Sequence, residues 1–64
     1  MDIISYRIYD KNNNFFPVEF EFEENAQKVC NFLSNRDNKQ YIIKKIYYLI
    51  GTPNYNDDLV KQIL

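Results

Sequence analysis

Histidine is missing from this 64-residue chain, and cysteine and glycine each occur once. Each scarcity removes a class of chemistry. Without histidine no Ser–His or Cys–His nucleophilic pair can form, and a zinc site built from cysteine and histidine lacks most of its ligands. A single cysteine, Cys30, excludes a disulfide within one chain. A single glycine, Gly51, cannot build the glycine-rich loop that cradles phosphates. No apolar run approaches the ~18 residues of a membrane span, and Met1-Asp2 is not the basic start of a secretory leader, so no membrane partner and a cytoplasmic location are expected. Formal charge is −1, which speaks against a general coat for nucleic acid.

What is present is aromatic and amide-rich. Eleven side chains are Phe or Tyr, and Asn, Ile, Tyr and Lys together fill 29 of 64 positions. That bias is of the kind carried by AT-rich genomes and by the small accessory proteins of their phages and mobile elements. Sixty-four residues make one small domain, which hides only about 60% of the surface exposed by its unfolded chain. Partner binding, a homodimer included, is therefore a natural way to cover the apolar remainder.

Ile3 to Tyr9 alternates, with Ile4, Tyr6 and Ile8 on one face and Ser5 and Arg7 on the other, the pattern of a half-buried strand. Asp10-Lys11-Asn12-Asn13-Asn14 breaks it with residues that tolerate positive φ and bond back to their own backbone. Phe15 to Phe22 alternates again, placing Phe16, Val18, Phe20 and Phe22 on the apolar face. A β-hairpin follows, with the second strand at an edge near Pro17, which cannot donate to a ladder.

From Glu24 to Asn35 the period changes to that of an amphipathic helix, with Ala26, Val29, Cys30 and Leu33 in a stripe and Phe32 at its margin. Asn56 is placed to cap a last short helix in which Asp57 and Asp58 fall in the first turn and Leu59, Val60, Ile63 and Leu64 share a face.

The stretch Asn38 to Gly51 is the most apolar and the most ambiguous. Its Ile, Leu and Tyr content suits a strand. Helical periodicity instead gathers Ile42, Ile43, Ile46, Tyr47, Leu49 and Ile50 in one arc and leaves Tyr41, Lys44, Lys45 and Tyr48 opposite, whereas a strand would put one lysine on each apolar face. Asp37 and Gln40 resemble a capping box, and Gly51 with Pro53 resembles a helix stop. The leading expectation is a helix. The fold class is α+β, an N-terminal antiparallel β-hairpin packed against helices in the order β-β-α-α-α, or β-β-α-β-α with residues 41–50 as a strand.

Neither a catalytic constellation nor a cofactor-binding or metal-ligating set emerges, and Cys30 on the apolar stripe reads as a buried thiol. Two surfaces remain as partner sites. Glu19, Glu21 and Glu23 would project at about 6.6–6.8 Å intervals from the second strand with Glu24 adjacent, an acidic face suited to a protein partner with a basic surface. Tyr41, Lys44, Lys45 and Tyr48 would form a Tyr–Lys face that could meet a protein or, less favourably, stack on bases. The expected function is a small, non-catalytic protein-binding module, of the kind by which a phage or mobile element blocks a host nucleic-acid-handling machine. The alternative is a dimeric nucleic-acid-binding regulator using the Tyr–Lys face.

Overall fold

The computed structural model describes residues 3–51 and 53–63. Strands β1 (Ile3–Asp10) and β2 (Phe15–Phe20) form the hairpin, α1 (Glu23–Asp37) follows, then strand β3 (Tyr41–Tyr48) and helix α2 (Leu59–Ile63). All pairings are antiparallel and the sheet order is β2-β1-β3, so β1 is the central strand. The result is a small α+β domain, one sheet layered with helices. Its shortest dimension of 16 Å has room for those two layers and no third.

The hairpin turn is built as the asparagine run implies. Asp10 Oδ1 accepts the backbone N–H groups of Asn12 and Asn14 at 2.8 and 3.0 Å, and Asn13 takes a φ of 68°. The ladder slips by two residues between the Arg7–Glu19 and Tyr9–Phe15 pairs, on the β2 segment holding Pro17. An edge strand tolerates this, because a residue without an N–H can sit there without removing a bond from a second ladder.

α1 buries Ala26, Val29, Cys30 and Leu33, the stripe read from its periodicity, against Ile8 and Phe20, which are fully buried. Tyr6, Phe16, Val18, Phe32, Tyr41 and Ile43 complete this core from the sheet and helix margins, and Leu59, Val60 and Ile63 of α2 pack on it. Leu64 and Thr52 lie outside the described residues.

Four expectations are corrected. Residues 41–48 are a strand, so the order is β-β-α-β-α. The objection to a strand was one lysine on each apolar face; β1 answers it with tyrosines, since Lys44 Nζ lies 4.5 Å from the Tyr9 ring centroid and Lys45 Nζ 5.9 Å from that of Tyr6. The apparent capping box closes α1 instead. Asp37 is its last residue, and Asn38 takes the left-handed C-cap conformation (φ 52°, ψ 43°).

β2 ends at Phe20, and Phe22, expected on the apolar face, becomes the N-cap position of α1 with φ −110° and ψ 131°. The chain turns there, so the strand alternation no longer governs where the ring points. Finally, Asp57 and Asp58 precede α2 rather than opening it, and the Asn56 backbone carbonyl accepts the Leu59 N–H at 3.2 Å.

After β3 the chain returns to the far side of the sheet. Asn56 N–H donates to the Glu19 carbonyl at 2.9 Å beside a parallel bridge between Glu19 and Tyr55, and the Tyr55 hydroxyl donates to the Ile4 carbonyl at 2.6 Å. This covers part of the outer edge of β2. Among the described residues no helix is long and apolar enough to cross a membrane.

Candidate functional site

The acidic row divides between two environments. Glu19 is drawn into the sheet, where its side chain is 12% exposed, accepts from Arg7 Nε at 2.9 Å and receives the Tyr48 hydroxyl. Arg7 also donates to the Tyr48 oxygen at 3.1 Å, closing a three-residue network across all three strands. Burial alone would raise the Glu19 carboxyl, but the Tyr48 hydroxyl and the Arg7 guanidinium together hold it below its ordinary value. A carboxylate so engaged contributes little to an outward acidic surface.

Glu21, Glu23 and Glu24 stay exposed, and between them lies Phe22 with 52% of its surface open to solvent. Asp57 arrives from the other end of the chain. Its Oδ1 accepts the Glu21 N–H at 2.9 Å, and its Oδ2 accepts the Phe22 N–H at 3.2 Å and the Asn25 side-chain amide at 2.7 Å. Phe22 has no side-chain oxygen with which to cap α1, so Asp57 supplies carboxylate acceptors at that end of the helix across 35 residues of sequence. The two backbone bonds fix the chain leading into the exposed ring, and the Phe22 carbonyl on its other side accepts the Asn25 and Ala26 N–H groups, both at 3.2 Å. The Tyr55 phenol registers the charge gathered there: burial first, then Glu21, Glu19 and Asp57, push it above its ordinary value. With exposed Asp58 in the adjoining turn, itself paired with Lys61 at 3.9 Å, one end of the molecule presents an aromatic ring among carboxylates. Among the described residues no group of three or more carboxylates, thiols or imidazoles is placed to hold a metal ion.

The Tyr–Lys face does not assemble. Alternation along β3 puts Tyr41 and Lys45 on the helix-covered side of the sheet and Lys44 and Tyr48 on the other. Tyr41 donates to Asp37 at 2.6 Å, and Lys45 lines a groove of about 350 Å³ with Tyr6, Glu23, Gln27 and Cys30. Lys44 donates to Asn13 Oδ1 at 2.6 Å. The open side instead unites Lys44 and Tyr48 with Arg7, Tyr9 and Phe15, a set that alternation on the sequence alone could not have joined without the strand order. The Tyr9 and Phe15 rings meet edge to face at 5.9 Å, and Arg7 lies 4.8 Å from the Phe15 centroid. Both rings already carry the protein's own cations, which competes with stacking on bases.

Cys30 is 4% exposed, and its thiol donates to the Tyr41 carbonyl at 3.4 Å. Burial raises its pKa, the opposite of what a nucleophilic thiolate requires. Two residues of the acidic end escaped sequence reasoning. Phe22 alternates in register with Phe20 and so reads as core, and Asp57 reads as part of its own helix; only the Glu-Phe-Glu-Glu string at 21–24 signals a ring among charges. Compared with protein-family models, with curated proteins and with solved structures, the chain matches none of them significantly.

Proposed function

We propose that this chain is a non-catalytic binding protein that docks on a protein partner through the end of the molecule bearing Phe22, Glu21, Glu23 and Glu24. The observation that carries the reading is the exposed Phe22 ring, held on a backbone fixed by Asp57 and rimmed by carboxylates. An aromatic anchor on a rigid turn loses little conformational freedom when it enters a pocket, and such anchors dominate interface energetics. The surrounding glutamates steer the encounter and select a basic counter-surface. A basic protein surface that ordinarily holds nucleic acid has the required chemistry, and the composition suits a phage or mobile-element accessory protein that blocks such a surface.

The test is affinity capture from the native cell with three proteins: the wild type, Phe22→Ser, and the charge-reversed Glu21→Lys with Glu24→Lys. Phe22→Ser is expected to lower affinity for the captured partner about tenfold or more while leaving the circular dichroism spectrum intact. Charge reversal is expected to slow association and to remove or reverse the fall in its rate with added salt. Retention unchanged in both variants contradicts the docking site, and salt-sensitive retention of DNA by the wild type in a gel shift would favour the nucleic-acid regulator instead.

A further inference from the structure

The two edges of the sheet are treated differently. β2 is partly covered by residues 55 and 56, whereas β3, the opposite edge, makes no backbone hydrogen bond beyond its ladder with β1 among the described residues. Exposed apolar side chains collect along that bare edge: Ile42 and Tyr47 on the strand, then Leu49 and Ile50 at 88% and 91% exposure. Bare edges are commonly guarded by charge, and Lys44 and Lys45 are the charges here.

We propose that the outer edge of β3 pairs antiparallel with the same edge of a second copy, centred on Ile46, joining two three-stranded sheets into one of six. Residues directly opposite in an antiparallel pair share a face, and the two-fold rotation keeps each residue on its own face, so the axis must pass midway between the two copies of one residue. Centring on Lys44 or Lys45 sets that lysine against its own copy, which like charge disfavours. Centring on Ile43 sets Ile42 against Lys44 and leaves Leu49 and Ile50 uncovered.

Ile46 at the axis gives residues 42–50 compatible partners. Ile42 meets Ile50, Ile43 meets Leu49, Lys44 meets Tyr48 and Lys45 meets Tyr47 of the second copy, so apolar residues face apolar ones and each lysine faces a tyrosine. The sheet already uses that lysine–tyrosine pairing, with Lys44 near the Tyr9 ring and Lys45 near the Tyr6 ring. β3 lengthens by two residues in the process, which draws Leu49 and Ile50 out of solvent, and both α1 helices come to lie on one face of the joined sheet. Dimer formation through β3 is independent of docking through Phe22.

The experiment is sedimentation equilibrium of the full chain, followed by oxidation of single-cysteine additions. The wild type is expected to rise with concentration from its 7.8 kDa monomer mass toward twice that value. Leu49→Asp with Ile50→Asp, at positions too exposed to matter for the monomer fold, is expected to raise the dimer dissociation constant at least tenfold. Ile46→Cys is expected to form an intermolecular disulfide on oxidation and Lys45→Cys to form little, because opposed residues on the axis alone bring Cα atoms within disulfide range. Buried Cys30 stays silent in both. A wild type that remains monomeric throughout, a dimer indifferent to the double aspartate variant, or equal cross-linking at 45 and 46 would each overturn the proposal.

Discussion

Asp57 and Glu19 are acidic residues whose work lies inside the molecule. Asp57 accepts three hydrogen bonds at the start of α1. Asp57→Ala is therefore expected to cost about 1–2 kcal/mol, the size of losing a helix cap, measured as a lower urea midpoint with unchanged slope. Removing it also frees the backbone beside Phe22, so binding should weaken together with stability. Glu19 adds a pH dependence. Its folded pKa lies below the ordinary 4.5, so its contribution is complete above that value and disappears as pH falls through the folded value. Asp37 acts in the same direction: Arg36, then the Tyr41 hydroxyl, lower its carboxyl from 3.8 to about 2, although its exposure to solvent keeps the contribution small. Glu19→Gln should cost about 1–2 kcal/mol at neutral pH and flatten the stability profile below pH 4.5, as followed by denaturant titrations across that range.

At the scale of elements, the segment 38–48 shows where a helix stop and a helix start share residue types. Asn38 in the left-handed region ends α1, and its backbone cap bond runs to the Ser34 carbonyl. Glycine adopts that conformation without steric cost, so Asn38→Gly should raise stability by about 0.5 kcal/mol and Asn38→Val should lower it by about 1 kcal/mol or more, both read from thermal unfolding. The hairpin and α1 were legible because each rests on local signals: alternation, an asparagine turn, and a 3.6-residue stripe that matches the buried set residue for residue. β3 was legible only as the alternative that its Ile, Leu and Tyr content suggests, because the evidence that decides it is non-local. Lys44 and Lys45 make sense on a strand only once Tyr9 and Tyr6 stand beside them, and those tyrosines lie more than 30 positions away. The acidic end was half legible for the same reason. Glu21, Glu23 and Glu24 show in the sequence, whereas the loss of Glu19 to Arg7 and Tyr48 depends on three strands meeting.

The whole molecule is polar from end to end despite its formal charge of −1. Glu21, Glu23 and Glu24 crowd the end where α1 begins, with Asp58 there paired to Lys61 at 3.9 Å, while Lys11 and Lys39 join Asp10 in lining a groove of about 310 Å³ between the hairpin loop and the α1–β3 turn. Such a charge distribution orients an approaching basic partner toward Phe22, and the orientation fades as salt screens it. A chain this small has only a few kcal/mol of stability to lose, so a bound partner or a second copy on β3 would raise its melting temperature in a concentration-dependent way. The most direct test replaces Phe22 with the photoreactive p-benzoylphenylalanine, and in a separate protein does the same at exposed Asn12 in the hairpin loop, before irradiation in the native cell. Docking through the acidic end predicts a discrete protein adduct from position 22, lost when Glu21 and Glu24 are also reversed to lysine, and none from position 12. Adducts of equal yield from both positions, or none from position 22, would contradict it.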